Sequence, residues 1–373
     1  MLTFDYLIVG SGFAGLSTAY FLLKKKAGRI LIMEKAPKPG SEASGKNASM
    51  LRQITDNVVL TRMAVEGTKL LREEFAPRWP RIHCRTNGSL LLVGQNHIER
   101  LKSSIQAALS HGVPVEFLKR DEIIDRFPLL RDAQFERGIF NAEDGVVDIH
   151  ALCESLARYV QGKKDARFIA SRPFDLKRIH EGLFEIDSPE GTIRARTVVN
   201  AAGAWADAVA RQVGARPVGL ESFRRHIFVT EKLEGIPPDW PFIWDLTHEI
   251  YFRPEDHALL LSPCDEEPMA PGPTPVSSDI EALCLRKTLE VLPSLKEIRY
   301  ARSWAGLRTF APDRKFVIGW DRTVPGFFWV AGLGGHGLTA CASVGRLAAC
   351  LLMKEDLRSD LAGHFAPTRF EAP

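Results

Sequence analysis

The sequence carries little net charge. Its 49 lysines and arginines stand against 46 aspartates and glutamates, 49 − 46 = +3. It also lacks any basic run with interleaved aromatics, so nucleic acid is excluded as an expected partner. Cysteine is scarce and scattered, at 84, 153, 264, 284, 341 and 350, with no CxxC pair and no Cys/His cluster at zinc spacing. That excludes a metal site and a disulfide framework, and implies reduced, partly buried thiols. No apolar run approaches the roughly 20 residues that span a bilayer. Tandem repeats are also missing. A first strand that almost abuts Met1 is expected to leave no room for a targeting leader, so a cytoplasmic location is expected, with peripheral attachment at the inner membrane as the alternative. What is present is an ordinary globular composition, 373 residues with 45% hydrophobic and 25% charged, enough for about two domains with substantial cores.

The most informative feature lies at the N-terminus. Residues 5–15 read DYLIVGSGFAG and residues 29–34 read RILIME. The first is a short apolar strand ending in Gly10-x-Gly12-x-x-Gly15, with Phe13 and Ala14 in the same turn. The second is an apolar strand ending in Glu34. Gly10 permits a tight strand-to-helix turn, Gly12 lets backbone approach a pyrophosphate, and Gly15 lets the helix pack on the strand. The helix that follows points unpaired N–H groups and the positive end of its dipole at the phosphate. Glu34, 19 residues after Gly15, stands where a carboxylate accepts hydrogen bonds from a ribose diol. GxGxxG alone is weak and a plain α/β turn is the alternative; strand, glycines, helix, strand and terminal acid in register point to a dinucleotide.

Along the rest of the chain, 54–110 is mostly helical in pattern, with a strand pair near His83–Val93. Residues 190–207 predict an alternating strand, an apolar strand, and a glycine turn opening a helix. Residues 223–261 read as strands, the Pro-rich 263–277 as a surface loop, 278–292 as a helix, and 326–352 as strand, glycine-rich turn and long apolar helix. The order predicts an α/β protein: a Rossmann-like nucleotide-binding domain from 1–50, 145–215 and 300–373, with an inserted α+β domain, on a largely antiparallel sheet, from 51–144 and 216–299. The helices of 10–25 and 326–352 then aim their N-termini at one elongated ligand.

Five segments carry a resemblance: GSGFAG with Glu34, SGKNAS (44–49), VVNAAGAWAD (198–207), WAGLRTFAPD (304–313) and GFFWVAGLGGHGLT (326–339). In this order they resemble the FAD-dependent D-amino-acid oxidase/dehydrogenase superfamily, which includes glycine oxidase, sarcosine oxidase and D-arginine dehydrogenase, over nearly the whole chain. The last two segments, with RRHIFV and YFRPED, look most similar to the D-arginine dehydrogenase branch. The resemblance implies FAD. Gly10, Gly12, Phe13, Ala14 and Gly15 would hold the pyrophosphate, and Glu34, with Lys35 beside it, the ribose. Ser44, Gly45, Lys46, Asn47, Ala48 and Ser49 would run along the ribityl chain and flavin edge. Pro173 would lie against adenine, and Ala201, Gly203 and Trp205 on the pyrophosphate side. Gly334, Gly335, His336, Gly337, Leu338 and Thr339 would offer backbone N–H groups to the flavin N1/O2 region, where a helix N-terminus stabilises the anionic reduced ring. Some members attach the flavin through Cys or His; here 309–313 reads Thr-Phe-Ala-Pro-Asp, and the expectation is non-covalent FAD.

The implied reaction is oxidation of the C–N bond of a small amino or imino acid by hydride transfer to flavin N5. The protein must hold the carboxylate so that Cα–H faces the ring. Arg308 is the best carboxylate ligand and falls at the flavin edge as well, because guanidinium binds carboxylate bidentately. Tyr251 matches the family tyrosine that bonds the same group. Arg225 or Arg224 is the second cation, only one of which faces the site, since neighbours on a strand alternate. Each has a plainer alternative: a surface salt bridge for Arg308, core packing for Tyr251, a structural turn for His336, a polar loop for Lys46 and Asn47. Three departures from the D-arginine branch stand out. Asn87 or Gly88 replaces the acid that reads a guanidinium, arguing for a neutral wall; Glu42 replaces a histidine near the substrate amine; and His336 replaces a tyrosine. A 2-hydroxy-acid dehydrogenase and an accessory flavoprotein subunit are the alternative functions, and the electron acceptor stays open between O2, a quinone and a protein.

Overall fold

A computed structural model describes residues 2–171, 174–188, 191–295, 298–355 and 360–370. Pro173 lies outside the described residues.

The first sheet is built on the glycine-rich unit. Strand Leu2–Val9 lies parallel between Ile30–Met33 and Gly191–Asn200, with Ala166–Ile169 beyond the former and Phe327–Ala331 beyond the latter. Val317–Trp320 closes that edge antiparallel to Phe327–Ala331. The central strands are buried on both faces, sharing one core with long helices and a second with the short helix Ala206–Gln212 and the hairpin Asp175–His180 and Leu183–Ser188. The helices Phe13–Lys24, Ile149–Gln161 and Cys341–Leu352 share one core with the sheet. A single ten-residue strand, Gly191–Asn200, occupies the place where two were expected. Its first half alternates between buried and exposed while pairing with the outer hairpin strand Leu183–Ser188, and its last three residues are fully buried between two parallel neighbours. One strand thus carries both patterns.

The second sheet is mostly antiparallel. Its centre comprises Glu221–Thr230, Ala258–Ser262, Ile250–Glu255, Phe242–Asp245, Ser89–Val93 and Arg137–Asn141 in that order. The only parallel step among these described strands joins Phe242–Asp245 to Ser89–Val93. The region near His83–Val93 holds one strand rather than a pair; Arg85 makes only an isolated bridge to Val146. Strand Tyr300–Phe310 pairs along its length with Glu221–Thr230, so it belongs by hydrogen bonding to the second sheet although its sequence neighbours return to the first.

The 263–277 segment is anchored more firmly than a surface loop. His226 donates from Nδ1 to Asp265 at 2.7 Å and accepts the Ser277 N–H on Nε2 at 3.1 Å, with ring and carboxylate both buried. Thr274 Oγ1 donates to the Ala305 carbonyl at 2.6 Å. The segment is thereby fixed against the strands that carry Arg225 and Arg308. No helix among the described residues is long and apolar enough to cross a membrane.

Candidate active site

One cavity of about 380 Å³ runs between the sheets and collects residues from all five segments that carry the resemblance; Tyr251 is not on its wall. At one end Gly10, Gly12, Phe13, Ala14, Glu34 and Lys35 line it; in the middle Glu42, Ser44, Lys46, Asn47, Ala48, Ala201, Gly203 and Trp205; at the far end Arg225, Arg308, Gly334, Gly335, Gly337 and Leu338.

The phosphate end is built by close approach. Gly10 has φ +101°, a conformation L side chains avoid, and a Cβ there would meet the Ala201 carbonyl oxygen at 2.5 Å. Gly15 does not line the cavity: a Cβ would lie 2.0 Å from the Gly10 carbonyl oxygen and 3.2 Å from Ile8, so this glycine seats the helix on the strand. Glu34 is buried, and its carboxylate accepts from Ser11 N–H and Ser11 Oγ, each at 2.8 Å, and from the Ala36 N–H at 2.8 Å. It therefore clamps the glycine turn as well as facing the cavity. Lys35 places its ammonium over the Trp205 ring.

The middle wall is a self-bonded loop. Ser44 Oγ accepts the Phe13 N–H at 2.9 Å. Asn47 spends its side chain locally, donating to the Ser44 carbonyl at 2.7 Å and accepting from Ser49 N at 2.8 Å. Gly45 and Ser49 do not line the cavity; a Cβ on Gly45 would strike the Gly40 carbonyl oxygen at 2.4 Å. Glu42 pairs with Lys46 at 3.0 Å and approaches Lys35 at 3.9 Å, so its charge is met by the chain's own lysines.

At the far end strand alternation has chosen Arg225 over Arg224. Arg224 turns outward to Glu267 and the Pro275 carbonyl. Arg225 is buried and faces the cavity; Nη2 donates to Glu266 at 3.1 Å, while Nε and Nη1 have no hydrogen-bond partner. Arg308 sits beside it, and its Nη2 donates to Tyr251 Oη at 3.3 Å. Burial and the neighbouring Arg225 both push Arg308 below its ordinary range. Tyr251 is fully buried and packs against Trp244, with only its hydroxyl reaching Arg308. Gly335 exposes the guanidinium, since a Cβ there would lie 3.4 Å from Arg308 Nη1.

The glycine-rich turn precedes its helix by more than expected. The helix begins at Cys341, leaving 334–339 as turns. Glycine is costly inside a helix. His336 and Thr339 are absent from the cavity wall; Thr339 Oγ1 accepts the Arg52 N–H at 3.2 Å. Burial, with the charges of Arg52 and Arg308, pushes His336 down to about 3, so its ring is neutral. Neither Asn87 nor Gly88 forms a cavity wall: Asn87 donates to the Trp240 carbonyl, and Gly88 faces the Phe140 ring. Sequence reasoning missed Ser11, Phe174, Val209, Gln212 and Ile227, which flank the cavity or its turn without a motif to mark them.

Residues 5–351 match the family described as DAO, FAD dependent oxidoreductase. The chain belongs to this family. The mitochondrial dimethylglycine dehydrogenase of Mus musculus is 23% identical to this FAD-dependent oxidoreductase, over 96% of the chain and 43% of the relative. The chain thus spans less than half the length of that relative. In fold, L-proline dehydrogenase from P. horikoshii is similar at TM-score 0.88 and 19% identity, covering 99% of this chain and 98% of that one. Glycine oxidase from Geobacillus kaustophilus is similar at TM-score 0.85 and 24% identity, covering 99% of both. The cavity fits FAD: a glycine turn too tightly packed for any Cβ brings backbone to one end, the Glu34 carboxylate lines that same end, and the cavity continues to the paired arginines.

Proposed function

We propose that the chain oxidises the C–N bond of a small amino or imino acid, releasing an imine that water hydrolyses to an oxo acid and an amine. The observation that carries this reading is the pair of buried Arg225 and half-buried Arg308 on the cavity wall, with two Arg225 nitrogens unpartnered and, among the described residues, only a tyrosine hydroxyl bonded to Arg308. An unmatched buried guanidinium is costly, and a carboxylate that supplies two charge-assisted bonds removes the cost.

FAD, when bound, supplies the two-electron acceptor. The chain's own residues do the positioning. Arg308, Arg225 and the Tyr251 hydroxyl hold the carboxylate, which fixes the α-carbon against the 332–338 wall. Tyr251 is itself held by Trp244. Glu266, shared between Arg225 at 3.1 Å and Arg314 at 2.7 Å, takes one Arg225 nitrogen and fixes the orientation of the other two. Because no cysteine or histidine lines the cavity among the described residues, the proposal includes non-covalent FAD; acid precipitation should release all of the flavin. We also propose that the nucleotide-binding domain is formed by 1–50, 145–215 and the segment after Phe310, because strand Tyr300–Phe310 bonds to the second sheet.

The test is anaerobic mixing of the flavin-loaded protein with amino acids of both hands, N-methyl amino acids and 2-hydroxy acids. Loss of the oxidised flavin absorbance with an amino or imino acid supports the reading. Reduction by 2-hydroxy acids alone replaces it with the dehydrogenase alternative, and no reduction by any of them favours the accessory subunit.

A further inference from the structure

Arg52 is a third cation beside the far end, half-buried and off the cavity wall itself. Its guanidinium stacks on Trp244, 4.2 Å from the ring centroid. Trp244 lies 5.0 Å, centroid to centroid, from Tyr251, whose hydroxyl meets Arg308. Arg52 and Arg308 therefore flank one aromatic pair from its two ends. The Arg52 backbone is tied to the glycine-rich turn through Thr339, and His336 in that turn feels both arginine charges.

No carboxylate bonds the Arg52 side chain among the described residues. The two acids that act on it are committed elsewhere. Asp144 accepts from Gln53 N at 3.0 Å, Gln53 Nε2 at 3.1 Å and Ser89 Oγ at 2.7 Å, and Asp56 pairs with Arg100 at 3.5 Å. The charge account of the far end is then uneven. Arg225 has Glu266 as its counter-ion, whereas Arg308 and Arg52 have none in direct contact among the described residues. A monocarboxylate satisfies one of these two cations; a dicarboxylate satisfies both. An arginine fixed flat on an indole is also pre-organised, so less side-chain freedom is lost when it bonds an anion.

We propose that Arg52, held by Trp244, is the subsite for a second carboxylate, and that the preferred substrates are amino or imino dicarboxylic acids. This rests on the amino-acid oxidation proposed above. The second carboxylate is carried either on the side chain or on the nitrogen substituent.

The experiment uses the flavin-loaded protein and its Arg52→Met variant, which keeps a stem over the indole and removes the charge. Glycine and alanine are compared with aspartate, glutamate and iminodiacetate in anaerobic flavin reduction. Acetate is compared with malonate and succinate by flavin difference spectra, which needs no turnover. Wild-type protein is expected to prefer a diacid by at least about tenfold in kcat/KM and in Kd, with Arg52→Met abolishing that preference and leaving the monoacids within about twofold. Preference for iminodiacetate places the second carboxylate on nitrogen, and for aspartate or glutamate on the side chain. Reduction by monoacids with no diacid preference overturns the subsite and spares the amino-acid reading, as does an equal loss for both classes in Arg52→Met. If Arg52→Met does not fold, Arg52→Gln replaces it, and a wild-type protein without a diacid preference overturns the subsite whatever the variants do. Absence of reduction by every amino acid overturns both.

Discussion

At the scale of single residues the account turns on charge without a counter-charge. Arg308 lines the cavity and, among the described residues, its side chain bonds only Tyr251. Arg308→Ala is expected to raise KM for the amino acid by at least about 100-fold while FAD stays bound, because it removes binding shared by ground and transition states; steady-state kinetics with the flavin spectrum checks both halves, and unchanged kinetics would remove Arg308 from the site. His336 makes a different prediction. Its native value of about 3 lies below the ordinary 6.5, so the unfolded chain takes up a proton that the folded chain refuses. Stability should therefore fall as pH drops through 6.5 toward 3, and His336→Asn should flatten that part of the melting-temperature profile of the flavin-free protein. The same neutral ring predicts that His336→Asn leaves the pH dependence of flavin reduction near neutrality unchanged. Residues of this kind were unevenly legible in the sequence. Arg308 and Tyr251 sit in segments that resemble a family, and strand alternation limited Arg224 and Arg225 to one inward side chain. Arg52 carries no motif; its place depends on a tryptophan almost 200 positions away, and only folding brings them together.

At the scale of elements, the glycine-rich unit folds as the expected strand, turn and helix, with one addition. Glu34 is a strand-end acid whose carboxylate also holds the Ser11 backbone and hydroxyl, so strand, turn and cavity are coupled through it. Glu34→Ala orphans two backbone donors, at about 1–3 kcal/mol each, and FAD titration of the flavin-free protein should show affinity weakened at least about tenfold; unaltered affinity would mean that the carboxylate does neither job. The partner helix Cys341–Leu352 was legible as apolar, but its crossing point was not. A Cβ on Gly345 would lie 2.5 Å from the Ser17 backbone carbon, so the two helices touch backbone to backbone there. Gly345→Ala should cost roughly 1–3 kcal/mol, visible as a lower melting temperature. The Asn87–Gly88 expectation failed for a related reason: both lie just before strand Ser89–Val93, and their surroundings are set by Trp240 and Phe140, which sequence pattern alone does not place beside them.

At the scale of the whole molecule, the cavity is the junction. It takes its walls from the N-terminal turn, the 40–50 loop, the 201–205 turn, two strands of the second sheet and the 330–338 turn. A ligand touching all of these ties together segments over 300 positions apart, and saturation with FAD at 100 times Kd should add about 2.7 kcal/mol of stability. Thermal unfolding with and without added FAD should show the melting temperature rise by several degrees. The sequence pattern made the layered architecture readable because βαβ signals are local; the membership of strand Tyr300–Phe310 was not, since pairing across 70 positions leaves no local trace. The central claim is that this cavity oxidises amino or imino acids. Its most direct measurement is the anaerobic titration of the FAD-loaded protein with such acids, followed at the oxidised-flavin absorbance. The account predicts stoichiometric bleaching by at least one of them; a spectrum that none of them alters, while dithionite bleaches it fully, would contradict it.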